Sequence, residues 1–398
     1  MRILSIETSC DETAISVVEA RGTLKSPSFK LLSGIVHSQA DLHAKWQGVV
    51  PTIAKREHAK NLVPVLERAL KESGLLENSK VPVRSGKIQN SKLDLKIKKI
   101  LEREEGLAES FLNFVPNIEI PKIDAVAVTY GPGLEPALWT GINFAKALSA
   151  YWKKPVVPVN HMEGHTLSAL LPGAVVGVEE NIKLKMPVLA LLISGGHTEL
   201  VLIKDWQNYK VVGHTRDDAV GEAFDKVARM LGLPYPGGPQ ISKMAEGYRG
   251  KKTIKLPRPM IHSDDLDFSF SGLKTSVLYK IKELGELSPD LKAELAHEFE
   301  EAVVEVLVSK TKKALEKFGV KTLIVGGGVI SNKKIRQAFQ QLTKENFKDV
   351  QLLIPHQSLC GDNATMIGMA GYMRLLSYKS KKTSPQKNFK AKGNLVLK

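Results

Sequence analysis

Apolar residues in this chain come in short runs of strand length, and the first two runs flank a polar turn that extends from Glu7 to Thr13. Such runs predict strands, so the chain opens with a hairpin. The same strand, turn, strand pattern returns at residues 188–203. When the second pattern is laid on the first without gaps, at an offset of 185 residues, both strands superpose and Ser9 falls on Ser194. We therefore predict two similar α/β halves.

The stretches around these hairpins alternate between helical and strand-like patterns. Apolar residues at helical spacing occupy 52–73 and stop at Gly74. A buried-strand pattern at 123–128 ends in glycines before a helical stretch near 136–150, and a strand-glycine-helix unit comes late, at 323–332. This alternation is typical of an α/β protein.

Two segments depart from this regularity. Residues 78–118 begin with a stretch rich in Asn, Ser and Lys, so we interpret them as an insertion or a mobile loop. The last twenty residues hold seven lysines and no acid, which predicts a flexible basic tail. We expect an N-terminal lobe at 1–160, a C-terminal lobe at 161–375 and the tail at 376–398.

Two halves that each open with a polar turn, followed by a late glycine turn, resemble the actin, hexokinase and Hsp70 (ASKHA) superfamily of duplicated RNase H-like lobes. In that architecture the two turns hold phosphates from opposite sides of a central nucleotide cleft, and the late glycine loop holds the adenosine. Glycines in such turns let backbone N–H groups approach an anion closely. The resemblance implies a nucleotide and metal site where the two lobes meet.

The composition excludes several other classes of protein. The 398 residues are 43% apolar and 25% charged, which argues against a disordered, collagen-like or coiled-coil chain. Two cysteines cannot build a disulfide scaffold, so we expect a reducing compartment. The apolar runs stay below the ~18 residues of a membrane span, and no secretory signal pattern opens the sequence.

The net charge of +15 indicates a polyanionic partner, most plausibly a nucleic acid. Without the seven lysines of the last twenty residues the chain still carries +8. General solubility is an alternative explanation of this charge, and the two stay open on charge alone.

His161 and His165 are candidate metal ligands, because residues four apart lie on one face of a helix. Glu163 follows the first histidine by two residues and is turned about 200° away on a helix, which disfavours the His-Glu-x-x-His metalloprotease motif. Asp362 is the candidate third ligand. It precedes an apolar helix, and from the residues alone a helix N-cap is the favoured role.

Residues 217–226 place four acids beside an apolar stripe, and a Pro/Gly-rich stop follows at 234–239. A capped amphipathic helix accounts for the spacing. The carboxylates could also accept hydrogen bonds from ribose hydroxyls.

Eight ordered blocks across nearly the whole chain resemble the TsaD family of tRNA N6-adenosine threonylcarbamoyltransferases, once labelled O-sialoglycoprotein endopeptidases. The match looks closest to the bacterial and mitochondrial branch. The blocks are Ser5–Thr13, Gly48–Pro51, Gly131–Leu134, Asn160–His165, Ser194–Thr198, Asp217–Pro239, Gly326–Asn332 and Cys360–Asn363.

The resemblance implies transfer of a threonylcarbamoyl group from threonylcarbamoyl-AMP to N6 of the adenosine 3′ of the anticodon, in tRNAs that read ANN codons. It implies a metal held by His161, His165 and Asp362. The implied substrate contacts are Leu192, Ile193, Ser194, Gly195, Gly196, His197, Thr198, Asp225, Gly238 and Asn332. No residue stands out as the base for the N6 proton.

The resemblance also implies partners and a cofactor. Two histidines and a carboxylate suit iron or zinc, whereas magnesium prefers oxygen ligands. The partners would be tRNA, the synthase that makes threonylcarbamoyl-AMP and a second copy of the chain, in the mitochondrial matrix or alternatively the bacterial cytoplasm. The tRNA candidates on the first long helix are Lys55, Arg56, Lys60 and Arg68.

Two other hypotheses stay open at this point. One is an actin-like ATPase or small-molecule kinase, although the first turn carries Glu7-Thr8-Ser9-Cys10 where a phosphate loop would have glycines. The other is a non-catalytic tRNA-binding scaffold.

Overall fold

The computed structural model describes residues 1–77, 91–171, 182, 184–385 and 388–397. Within these residues the strands are β1 (Arg2–Glu7), β2 (Glu12–Thr23), β3 (Ser26–Ser38), β4 (Ala125–Gly131), β5 (Val156–Asn160), β6 (Val188–Ile193), β7 (Thr198–Asp205), β8 (Asn208–His214), β9 (Thr322–Gly326) and β10 (Gln351–Leu353).

The helices fall between and after these strands, and among the described helices none is long and apolar enough to cross a membrane. They are α1 (Ala40–Ala44), α2 (Pro51–Glu72), α3 (Lys92–Ile100), α4 (Leu107–Phe114), α5 (Glu135–Trp152), α6 (His161–Leu167), α7 (Val220–Met230), α8 (Gly237–Gly247), α9 (Ser271–Leu284), α10 (Pro289–Phe318), α11 (Lys333–Asn346) and α12 (Ala364–Ser380). The stretch predicted as a helix at 52–73 is α2, and the one predicted near 136–150 is α5.

Two sheets of identical strand order confirm the predicted duplication. The first sheet runs β3-β2-β1-β4-β5 and the second β8-β7-β6-β9-β10. In each, the first two pairings are antiparallel and the last two parallel. Ile6 pairs with Ile15, and Leu191 pairs with Leu200, so the two hairpins share one register at the predicted offset of 185.

The described residues divide into two compact units, each with one sheet. The first unit contains Met1–Asp41, Val49–Ile182 and Asp362–Leu397, and the second contains Leu42–Gly48 and Lys183–Gly361. This division differs from the boundary expected after residue 160. It differs because α12 packs against α6 and against the strands of the first sheet, which returns the end of the chain to the first unit.

Part of the stretch predicted as an insertion or mobile loop lies in the core of the first unit, so the mobile-loop alternative is wrong for residues 91–118. Ile97 at the end of α3 and Phe111 in α4 are fully buried there, together with Leu101 and Leu107. A short amphipathic helix leaves too few turns for its period to stand out among lysines, which is why the sequence pattern was not diagnostic. Residues 78–90 lie outside the described residues.

The basic end of the chain is also ordered where it is described, so the predicted flexible tail is wrong for residues 388–397. The Lys392 N–H donates to the Tyr130 carbonyl at 2.9 Å, and the Gly133 N–H donates to the Gly393 carbonyl at 3.1 Å. Phe389 is 5% exposed and meets the Tyr130 ring edge-on. These few apolar residues anchor a segment whose lysines dominate its composition.

Candidate functional site

The end of β5 positions the predicted histidine pair. The Asn160 side chain accepts from the N–H groups of Met162, at 2.9 Å, and Glu163, at 3.4 Å, and so caps α6 at its first residue. His161 and His165 therefore project from one face of the helix, and their ring centroids lie 4.7 Å apart. Both side chains are buried.

Asp362 meets this pair, and all three side chains belong to the first unit. Its Oδ1 atom lies 3.2 Å from the Nε2 atoms of both His161 and His165. The helix-cap role that the residues alone favoured for Asp362 belongs to its neighbour instead, because the Asn363 side chain accepts from the Met366 N–H at 3.1 Å. Asp362 is thereby left to face the histidines.

The spacing of these three ligand atoms fits a bound cation. The two Nε2 atoms are 3.1 Å apart, and the three atoms form a mutually close group. Ligand atoms in a tetrahedron around an ion at 2.0–2.1 Å lie about 3.3 Å from one another. Two imidazoles and one carboxylate are the donor set of open catalytic zinc and non-haem iron sites. His161, His165 and Asp362 would therefore hold such an ion.

The charges within the cluster also favour a cation. Burial by itself would raise the pKa of Asp362, but the neighbouring His161 and His165 hold it well below its usual range. Burial opposes protonation of His161, yet Asp362 and Glu7 raise its pKa well above the ordinary value. Burial lowers the pKa of His165. The carboxylates thus place net negative charge around the two rings.

Glu163 points away from this cluster, as its position in the helix predicts. Its Oε2 accepts from Arg374 Nε at 2.6 Å, in a pair that is largely buried. The arrangement ties α6 to α12. Glu163 therefore does not stand where a His-Glu-x-x-His protease has its base.

The β1–β2 turn supplies further acids beside Asp362. Asp11 is 7% exposed, and the pKa of Glu12 is raised well above its ordinary value by burial and by the charges of Asp362 and Asp11. The pKa of the Cys10 thiol is raised in the same way, first by burial and then by Asp11 and Glu12. A cation bound beside this turn would therefore be stabilised by several neighbouring acids.

The β6–β7 turn, in the second unit, has the opposite character. The Ser194 N–H donates to the His197 carbonyl at 2.9 Å, and the Thr198 hydroxyl accepts from the Val220 N–H at 2.9 Å. Gly195 and Gly196 are exposed, and a Cβ at either would meet no atom within 4 Å. The backbone of this turn is open to a ligand beside the first residues of α7.

A cavity of about 560 Å³ in the second unit brings four of the predicted substrate residues together. Gly195, Asp225, Gly238 and Asn332 line it. The other predicted residues lie elsewhere: the side chains of Leu192 and Ile193 are 0% exposed within β6, and Ser194, His197 and Thr198 form the turn without lining the cavity.

Asp225 and Asn332 also organise the cavity wall. Asp225 Oδ1 accepts from the Gly237 N–H at 2.7 Å, at the first residue of α8. Asn332 caps α11, since its Oδ1 accepts from the Ile335 N–H at 2.9 Å. Its amide nitrogen donates to Ser242 Oγ and Glu300 Oε1, both at 2.7 Å. The side-chain amide is therefore already held by the protein.

Sequence reasoning missed several residues of the site. The cavity wall also includes Phe224, Ser242, Tyr248, His297 and Glu300. Glu300 belongs to the acidic Glu298–Glu301 run of α10, in which the sequence alone does not distinguish a cavity-facing acid from a surface acid. One signal could have been used. Glu7 and Ser9 lie in the Ser5–Thr13 block that resembles the family, but sequence reasoning gave them no role.

The predicted tRNA residues lie on α2, and one of them is engaged by the protein itself. Lys55 Nζ donates to the Arg103 carbonyl at 2.7 Å and lies 3.5 Å from Glu104. Arg56, Lys60 and Arg68 are exposed. Three of the four candidates are thus available to a polyanion.

The strand order of the two sheets and the pair of ligand-ready turns define the class of protein: a duplicated actin-like, RNase H-like α/β fold of the ASKHA type. A full-length HypF in its phosphate- and nucleotide-bound form is similar at 13% identity over 68% of this chain and 42% of that chain, with a TM-score of 0.48. The class assignment depends on strand order and register, not on that likeness.

The family model described as TsaD, tRNA N6-adenosine threonylcarbamoyltransferase, matches residues 30–79 and 101–369. A relative with that name from Persephonella marina is 38% identical over 100% of this chain and 96% of its own. Two more relatives have the same name. The one from Staphylococcus haemolyticus is 41% identical over 93% of this chain and 90% of its own, and the one from Paraburkholderia xenovorans is 40% identical over 94% of this chain and 92% of its own. The chain belongs to the TsaD family, in a bacterial-like branch, and is a transferase.

Proposed function

We propose that this chain transfers the threonylcarbamoyl group of threonylcarbamoyl-AMP to N6 of the adenosine 3′ of the anticodon, in tRNAs that read ANN codons. The observation that carries the proposal is the buried cluster of His161, His165 and Asp362. Its three protein ligands with open positions have the form of a catalytic metal site in a family named for this transfer.

The reaction breaks the bond between the carbamoyl carbon and the phosphate oxygen and forms a bond from that carbon to N6, with loss of one N6 proton and release of AMP. AMP is a good leaving group, whereas an aromatic amine is a poor nucleophile. Alignment of the two reactants and stabilisation of developing negative charge are therefore the main tasks of the protein. A divalent ion held by the triad would supply Lewis acidity for an oxygen of the substrate.

The cavity of the second unit is the proposed adenylate site. Asp225 lines it with a carboxylate that can accept from ribose hydroxyls, and Gly238 leaves open space where a Cβ would meet nothing within 4 Å. The Gly195-Gly196 backbone can approach a phosphate closely because it carries no side chains. Burial raises the pKa of Glu300, while hydrogen bonds from Asn332 and Ser242 oppose the rise.

The direct test is incubation with threonylcarbamoyl-AMP, a divalent metal and an unmodified tRNA transcript that reads an ANN codon. Mass spectrometry of the digested nucleosides should show threonylcarbamoyladenosine. A transcript whose position 3′ of the anticodon is not adenosine is the matched control. If the first transcript stays unmodified with iron or zinc present, the transferase proposal is wrong.

The two alternatives are not favoured. An ATPase or kinase would show sustained ATP turnover with a phosphorylated small molecule and no dependence on tRNA. A non-catalytic scaffold would keep its function when His161 and His165 are both replaced. The family match and the triad both favour the transferase.

Arg56, Lys60 and Arg68 are the proposed tRNA contacts. Each true phosphate contact should make the salt dependence of binding steeper by about one unit of slope. Alanine at each position should reduce that slope, as measured by filter binding between low and moderate salt. Lys55→Ala is the control and should leave the slope unchanged, because the protein itself already holds the Lys55 side chain.

The finer assignments are proposals with their own support. Iron or zinc is supported by the two-imidazole, one-carboxylate donor set, and elemental analysis of the purified chain tests it. A homodimer, and a synthase that supplies threonylcarbamoyl-AMP, are supported by the family resemblance alone; sedimentation and co-purification test them. The mitochondrial matrix, with the bacterial cytoplasm as alternative, is supported by the pI of about 9.5, and cell fractionation tests it.

A further inference from the structure

Glu7 is a buried carboxylate at the last position of β1, directly behind the metal cluster. Its side chain is 0% exposed. Oε1 accepts from the Ser9 N–H at 2.6 Å, and Oε2 accepts from the Thr129 hydroxyl at 2.6 Å. Oε2 also lies 3.0 Å from His161 Nδ1. Both oxygens are thus engaged, and one of them reaches a candidate metal ligand.

The surroundings of Glu7 supply hydrogen-bond donors but no permanent cation. Among the described residues, no lysine or arginine nitrogen lies within 4.0 Å of its carboxylate, and His161 is the only basic side chain in that range. Burial of an unpaired charge is costly. A carboxylate in this position therefore gains from positive charge on, or bound beyond, the imidazole of His161.

The contact between Glu7 and His161 determines which ring nitrogen of His161 keeps a lone pair for a metal. When a cation occupies the space between Nε2 and Asp362, the remaining proton of His161 lies on Nδ1, because the ionised carboxylate of Glu7 only accepts hydrogen bonds. The Nε2 atom, 3.2 Å from Asp362 Oδ1 and 3.1 Å from His165 Nε2, then offers its lone pair to that cation. This is the tautomer that a metal ligated through Nε2 requires.

The partner histidine has no such support, which makes the role of Glu7 specific. His165 Nδ1 is buried and has no hydrogen-bond partner in the described part of the chain. The helix backbone positions the His165 ring, while no carboxylate of the described residues meets its Nδ1 atom. A single acid, acting through His161, therefore supports the ligand pair.

The duplicated hairpin shows that the fold does not require an acid at this place. At the offset of 185 residues Glu7 corresponds to Leu192, which is also 0% exposed and lies one residue before the end of its strand. The same register thus accommodates leucine in the second unit. The acid in the first unit meets the Ser9 N–H, the Thr129 hydroxyl and His161, and of these three only His161 is a candidate metal ligand.

We propose that Glu7 is a positioning residue that holds His161 in the Nδ1–H tautomer and in the orientation that binds the metal through Nε2. This inference rests on the proposed metal role of the triad. Orientation of a ligating imidazole by a carboxylate typically changes metal affinity by about 10- to 100-fold.

The test compares Glu7→Gln with the unaltered full-length chain, using Co²⁺ as the probe and its visible absorption as the readout. Glutamine keeps the size of the side chain, but its amide can donate to Nδ1 and favour the wrong tautomer. We expect the Co²⁺ affinity of Glu7→Gln to fall about 10- to 100-fold. Competition with a chelator for Zn²⁺ should show the same loss.

Glu104→Gln is the matched control. Glu104 is also a buried acid of the first unit, and it accepts from Thr140 and Asn143, both at 3.0 Å. It does not touch the triad, so its replacement should leave the Co²⁺ affinity within about twofold. An equal loss in both variants, or no loss in Glu7→Gln, overturns the proposal.

A second measurement does not depend on a folded variant. Long-range ¹H–¹⁵N spectra of the Zn²⁺-loaded chain, with the His161 signals assigned by their absence in His161→Gln, show directly which ring nitrogen carries the proton. We expect Nδ1–H, and a dominant Nε2–H form overturns the proposal. If the unaltered chain binds no Co²⁺, the metal role itself fails, whereas binding that Glu7→Gln leaves unchanged refutes only the role of Glu7.

Discussion

The first hairpin turns of the two units have the same backbone register and opposite chemistry. The turn after β1 is buried and acidic, with Glu7 and Asp11 beside a triad that could hold a cation. The turn after β6 is exposed at Gly195 and Gly196, where the backbone is open to an anion. One strand framework can therefore support either function, since the strands bury apolar residues and leave the turn residues free to differ.

The acids of the two units differ in the same sense. In the first turn, burial and the charge of Asp362 raise the pKa of Glu12. In the second unit, burial would raise the pKa of Asp218, but hydrogen bonds from Lys226 and Lys274 hold it below its ordinary value. Asp218 thus pairs with two lysines, whereas in the described part of the chain no lysine lies within 4.0 Å of the Glu12 carboxylate.

The largest effect should come from removal of both imidazoles of the candidate metal site in the first unit. In His161→Ala combined with His165→Ala, transferase turnover should fall at least ~1,000-fold, about 4 kcal/mol in activation free energy, because two of three ligands are gone. Nucleoside mass spectrometry measures the loss. The affinity for tRNA should stay within about twofold, and retained turnover would contradict the proposed metal role of the triad.

Exchange of the equivalent residues tests the comparison directly. Leu192→Glu places an acid in the second hairpin at the position of Glu7, without a histidine to meet it. An unpaired buried charge should lower the free energy of unfolding by about 3 kcal/mol. Urea denaturation measures the change. If Leu192→Glu is as stable as the unaltered chain, the two hairpin positions are more alike than their neighbours indicate.

Two glycines near the second turn should separate ligand binding from stability. A Cβ at Gly221 would lie 2.7 Å from the Ser194 carbonyl oxygen, whereas a Cβ at Gly195 meets nothing. Gly221→Ala should lower the stability by about 2 kcal/mol through this overlap. Gly195→Val should unfold near the normal temperature. It should bind AMP about tenfold more weakly, which is a loss of about 1.4 kcal/mol in binding free energy. Thermal melts and calorimetry measure the two, and the reverse pattern would contradict the assignment.

The smallest effect should be a dependence of stability on pH that comes from Asp218. Its folded pKa lies below the unfolded value near 4, so its contribution is present above that value and is lost as pH falls through the folded pKa. Asp218→Asn should reduce the decline in the free energy of unfolding below pH 4, by less than about 1 kcal/mol. Urea denaturation at several pH values measures this decline. A parallel decline in both proteins would exclude Asp218 as the source.

The hairpins, the long helix α2 and the helical turn that carries His161 and His165 were accessible from the sequence, because each depends on residues close together in the chain. Period-two and period-3.6 patterns of apolar residues report such local structure. The gap-free offset of 185 was accessible for the same reason, since a duplicated register keeps corresponding residues at constant spacing. The family blocks then indicated which polar residues to combine.

The tertiary structure alone decided which distant residues meet. The residues alone favoured Asp362 as the cap of α12, and only the packed first unit shows that Asn363 caps the helix while Asp362 faces the histidines. The burial of Phe389 in a lysine-rich segment and the place of Glu300 in the cavity wall were likewise hidden. Apolar periodicity determines which face of an element is buried, but contacts across 100 residues or more depend on how the elements pack, and that packing is where a carboxylate becomes a ligand.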